Sequence, residues 1–112
     1  CINKNMLQQA SSMLNIKVED DFEICEVGEN FEIKPSEISA LSGKYSYDSF
    51  IKAIELAQNN IVDGVVTMPI HKEAWMLAGL KYKGHTDLLR EYFKKDAIMM
   101  LGCDKMFVAL FT

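Results

Sequence analysis

The segment from Ile61 to Thr67 reads Ile-Val-Asp-Gly-Val-Val-Thr, and it limits this chain's possible folds more than any other stretch. It is β-branched and nearly all apolar, the composition of a strand covered on both faces, and such strands belong to parallel sheets. Asn59 and Asn60 mark the turn into it, and Pro69 ends it because proline cannot donate to a ladder. Before it, Leu41, Tyr47, Phe50, Ile51, Ile54 and Ala57 share one helical face between Ser39 and Asn59, although Gly43 weakens the first turn. After it, Ala74, Trp75 and Ala78 at helical spacing, with Gly79 as C-terminal cap, predict a short helix. Thr86 is the expected N-cap of a further helix through Phe93, with Asp87 in its first turn. Near the start, Met6, Leu7, Ala10, Met13 and Leu14 predict an amphipathic helix that stops near Asn15. Asp21 to Val27 and Asn30 to Pro35 read as short strands, the second broken by Pro35. The final section, from Ala97, reads as two strands joined at Gly102, Cys103 and Asp104. Its last run, Met106 to Thr112, ends without a loop or helix, which reads as a cut chain. The expected class is α/β, with a mixed sheet and a C-terminal hairpin.

Composition narrows the function. With 16 acidic against 12 basic side chains the formal charge is −4, so an extended phosphate-binding face for nucleic acid is not expected. No apolar run approaches bilayer-spanning length, and the first residues lack a signal-peptide pattern, so a cytoplasmic protein is expected. Cys1, Cys25 and Cys103 are widely separated and form no CxxC pair; buried reduced thiols are expected rather than a metal site. The chain shows no GxGxxG loop, P-loop or Ser/His/Asp nucleophile set.

Both histidines fall between Thr67 and Leu89. In open α/β sheets ligands collect at the carboxyl ends of strands, where Thr67 to Lys72 would sit, so His71 and Lys72 would open the next helix. A helix start offers unpaired N–H groups and a lysine adds a full positive charge, which together suit an anion. Gly84, His85 and Thr86 repeat the arrangement with a close backbone, a ring N–H and a hydroxyl. A phosphorylated or carboxylated small molecule fits such a site. Gly-His-Thr also serves simply as a capped turn, His71 and Lys72 as a solvated helix start, and Lys81 and Lys83 as surface charges. Trp75 reads as core.

The order of these residues resembles a known family. Asp63 to Leu89, "DGVVTMPIHKEAWMLAGLKYKGHTDLL", followed by "AIMML" and "FVALFT", is similar to the middle part of the 4-hydroxythreonine-4-phosphate dehydrogenase family, NAD-dependent enzymes of pyridoxal phosphate synthesis. "SALSGKYSYDSFIKAIELA" also fits that family's long helix, so the likeness covers residues 38–112 well and residues 1–37 loosely. The resemblance implies one fragment of an isopropylmalate-dehydrogenase-like α/β fold, with residues 38–112 as a substrate-binding part. It implies that His85 and Thr86 bind the phosphorylated substrate, and that Lys72, His71 and Gly84 line the site. Asp87 stands where many members have Glu. The family's divalent metal is held by three histidines, the first expected just beyond Thr112, and most NAD contacts lie in a later region. On that reading this stretch holds no catalytic or metal-binding residue, binds neither NAD nor metal, and is inactive alone, while the parent is a homodimer. Two alternatives remain open: a related dehydrogenase of another phosphorylated four-carbon hydroxy acid, or a stand-alone small-phosphate binding module. Phosphate acyltransferases share the broader architecture, but the Gly-His-Thr segment does not suggest them.

Overall fold

The computed structural model describes residues 1–19 and 21–110. Among the described residues four helices precede one hairpin: α1 (Lys4–Leu14), α2 (Ala40–Gln58), α3 (Lys72–Leu77), α4 (His85–Phe93), β1 (Met99–Cys103) and β2 (Met106–Leu110). The chain is therefore mixed α and β, and its described sheet is a two-stranded antiparallel pair.

Local chemistry sets the helix ends. Asn3 caps α1, its side-chain oxygen accepting the N–H groups of Asn5 (2.9 Å) and Met6 (3.2 Å). Asn15 closes the helix in the left-handed region, φ 52°, which asparagine tolerates better than most residues. Ser39 caps α2 by accepting the Ser42 N–H at 3.1 Å. Gly79, φ 77°, lets the chain reverse after α3 while the Leu80 N–H returns to the Trp75 carbonyl at 3.0 Å.

The core lies where α2, α3 and α4 meet. Phe50 and Ile54 from α2, Trp75 from α3 and Leu88 from α4 are buried together, with Tyr47, Val65, Ile70 and Leu80 packed around them. Gly43 has a different role from the one its helix propensity suggests. A Cβ built there would lie 2.0 Å from the Ala74 carbonyl oxygen, so the missing side chain is what lets α2 and α3 touch backbone to backbone.

Several sequence expectations are corrected. Ile61 to Thr67 forms no strand: Val65 packs on the core, but Ile61 is 66% and Val66 96% exposed. A parallel strand exists only through a neighbour's backbone, and among the described residues the strands pair with each other instead. The mixed sheet is therefore not present among the described residues. Asp21 to Val27 and Asn30 to Pro35 are likewise irregular, held by α1 rather than by a ladder. The Ile2 N–H reaches the Cys25 carbonyl at 3.0 Å. Gln9 donates to the Phe31 carbonyl at 3.3 Å and accepts the Ile33 N–H, so one side-chain amide replaces a neighbouring strand.

The hairpin forms as expected, but Gly102 pairs with Phe107 and Cys103 with Met106, which moves the turn to Asp104 and Lys105. Both of its faces are largely exposed, and its final expected residues, Phe111 and Thr112, lie outside the described residues. The thiols are free but not buried: Cys1 and Cys103 are exposed and Cys25 is half-buried, because their segments lack a covering layer.

Candidate functional site

A cleft of about 620 Å³ opens between the start of α4, the start of α3 and the approach to β1. Its polar lining consists of Thr67, Lys72, Lys83, His85, Thr86 and Asp87, with Gly84 in the same wall. The structure thus gathers Lys72, Gly84, His85 and Thr86 from the expected set. His71 occupies the cap position of α3, where its carbonyl accepts the Trp75 N–H at 3.2 Å; its exposed side chain makes no cap bond and is not part of the lining. Thr67, Lys83 and Asp87 are additions. Lys83 reads in the sequence as a surface charge, and its only signal was its place immediately before Gly84.

The start of α4 differs from expectation. Gly84 is the cap, its carbonyl accepting the Leu88 N–H at 3.2 Å, and Thr86 lies inside the first turn without capping the helix. Asp87 performs the closing role: its carboxylate accepts the Lys83 N–H at 3.2 Å, joining the loop to the helix it enters. This leaves the Thr86 hydroxyl to line the cleft. A Cβ added to Gly84 would meet Lys72 Cε at 3.8 Å, an ordinary contact, so the lysine stem runs directly past this turn. Lys81 pairs with Glu91 of α4 and its ammonium lies 5.6 Å from the Tyr82 ring centre, which ties the preceding loop to α4 outside the cleft.

The charges of the lining, Lys72 and Lys83 against Asp87, leave a local excess of one positive charge in a chain of negative net charge. Together with the first N–H groups of α4 this favours an anion. His85 adds a hydrogen-bonding ring without adding charge. Burial against Phe50 and Trp75 holds its pKa below the ordinary 6.5, so near neutral pH the ring has one donor and one acceptor nitrogen.

That shift predicts a pH dependence. The unfolded chain titrates at the ordinary value and the folded ring below it, so between the two the unfolded state binds more protons and stability rises with pH. The contribution of His85 is complete above 6.5 and is lost as pH falls through the folded value. Between about pH 7 and 5 the melting temperature should therefore fall more steeply for the parent than for His85→Gln. Equal slopes would show that the ring titrates as in water.

Compared with known proteins, residues 1–112 match the family described as Pyridoxal phosphate biosynthetic protein PdxA. The chain is 68% identical over 112 residues to a 4-hydroxythreonine-4-phosphate dehydrogenase of Sulfurimonas denitrificans, a span covering 100% of this chain and 36% of that relative. It is 52% identical over 111 residues to the same-named protein of Campylobacter fetus, covering 99% of this chain and 36% of the relative. For one from Helicobacter pylori the identity is 54% over 76 residues, 67% of this chain and 25% of the relative. The chain thus spans about a third of the length of the first two relatives.

Proposed function

The chain belongs to the family of Pyridoxal phosphate biosynthetic protein PdxA, and on that premise we propose that it is the substrate-binding part of a dehydrogenase that oxidises and decarboxylates 4-hydroxythreonine 4-phosphate with NAD. The observation that carries this reading is the cleft in which Lys72 and Lys83 flank the turn Gly84-His85-Thr86 at the start of α4. The two ammonium groups attract the substrate's anionic groups. The His85 ring and the Thr86 hydroxyl then fix its orientation, since hydrogen bonds are directional where ion attraction is not. Residues 38–112 hold this part within the isopropylmalate-dehydrogenase-like fold, while Asn3, Gly28 and Phe31 contact Tyr45 in the first turns of α2.

When bound, NAD would accept the hydride lost from the carbon bearing the hydroxyl, while the hydroxyl proton passes to water and the keto acid so formed releases carbon dioxide. Among the described residues no group of three or more His, Cys, Asp or Glu is placed to hold a metal ion. What this stretch contributes is binding and orientation. No helix among the described residues is long and apolar enough to cross a membrane. Homodimerisation belongs to the same reading.

In the full-length protein, His85→Ala should raise the substrate KM about tenfold or more and lower kcat, the effect of losing a hydrogen bond in a partly dry site, while the KM for NAD stays unchanged. Unaltered kinetics would remove His85 from the site. Light scattering on the same preparation reports the assembly, a monomer counting against the dimer.

A further inference from the structure

His85 is the first residue of α4, and the torsion that sets an imidazole plane is broad, so the local backbone does not decide which way the ring's nitrogens point. Packing decides it. The Phe50 ring lies 4.6 Å from the His85 ring, centre to centre, with their planes at 68°. Trp75 stands at 6.0 Å and 88°, a looser contact. Phe50 is itself 7% exposed and fixed in the core cluster, whereas His85 reaches from that cluster to the cleft wall.

We propose that Phe50 is a positioning residue for substrate binding: its ring, 35 residues earlier in the chain than His85, holds the imidazole edge-to-face so that its polar edge is presented to the cleft. The inference rests on the reading of His85 as a substrate ligand. Edge-to-face pairing adds to simple burial because the positive rim of one ring meets the negative face of another, and an aliphatic side chain of similar size has no ring quadrupole to take part. The same enclosure keeps the ring uncharged near neutral pH, which preserves one acceptor nitrogen for the substrate.

The test compares three variants of the full-length protein. Phe50→Leu keeps an apolar group of similar bulk but removes the aromatic ring, and should raise the substrate KM about two- to tenfold, the range that the worth of an aromatic pair converts to, with the KM for NAD unmoved. Ile54→Val, one turn further along α2, thins the same core and should leave the substrate KM alone. An equal rise in both variants would mean general loosening of the core, and an unmoved KM in Phe50→Leu would mean that burial alone orients the ring; either result overturns the inference. His85→Ala, run in parallel, separates the two levels. If it leaves the KM unmoved, the ligand reading has failed and the positioning role with it; if it raises the KM where Phe50→Leu does not, only the positioning role has failed. Should Phe50→Leu not fold, Phe50→Met, which fills the same space flexibly, is read in the same way.

Discussion

Replacing Trp75 with alanine is expected to lower the free energy of unfolding by about 3–5 kcal/mol, the range for removing a large aromatic side chain from a core that cannot collapse around the gap. The indole is 0% exposed and packs with Phe50, Ile54 and Leu88. The Tyr47 ring meets it edge-on at 5.9 Å and 86°. Its Nε1–H donates to Ser46 Oγ at 2.8 Å, and the Ser46 hydroxyl in turn donates to the Gly43 carbonyl at 2.9 Å. The substitution therefore removes both apolar contact and the polar link that ties α3 to α2. With only six residues α3 has no independent helical stability, so it persists only while docked. Lys72, its first residue, would be released from the cleft with it. Trp75→Phe should cost less, since it keeps most of the apolar volume and loses the hydrogen bond. Urea unfolding followed by circular dichroism measures both, and a Trp75→Ala midpoint equal to the parent's would show that α3 is anchored elsewhere.

Gly43→Ala should also destabilise, against the direction that helix propensity alone gives. In an exposed helix interior, alanine is favoured over glycine by about 1 kcal/mol. Here the new methyl would lie 2.0 Å from the Ala74 carbonyl oxygen and 2.3 Å from its carbon, both backbone atoms that cannot rotate away. Forcing α2 and α3 apart costs about 3 kcal/mol, the upper end of the range for overpacking, because every contact beside Trp75 loosens at once. The clash wins by about 2 kcal/mol. A Gly43→Ala protein as stable as the parent would mean that the helices separate freely, and the core around Trp75 would then need another explanation.

The helices were legible because their signals are local. The stop near Asn15, the Gly79 cap and the spacing of Phe50, Ile54 and Ala57 all act within one or two turns, so adjacent residues are enough to recognise them, whereas the Asn3 and Ser39 caps emerged only in the structure. The expected strands failed for the opposite reason. Ile61 to Thr67 has the side chains of a covered strand, but a ladder is made by a second backbone, and none of the described strands lies beside it. Composition records what a segment can tolerate; pairing depends on what adjoins it.

The candidate site divides along the same line. From the sequence alone came the residue types, His85 and Thr86 beside Gly84 with Lys72 at the neighbouring helix start, because hydrogen-bonding and charged groups crowded at helix starts suit an anion wherever they occur. Tertiary structure decided that Lys72 runs past Gly84, that Lys83 and Asp87 join the lining while His71 does not, and that Asp87 rather than Thr86 closes the turn. It also set the Phe50 ring against His85. Those outcomes depend on how α2, α3 and α4 pack around Trp75, and contacts between residues far apart in the chain leave no mark in the spacing of either partner.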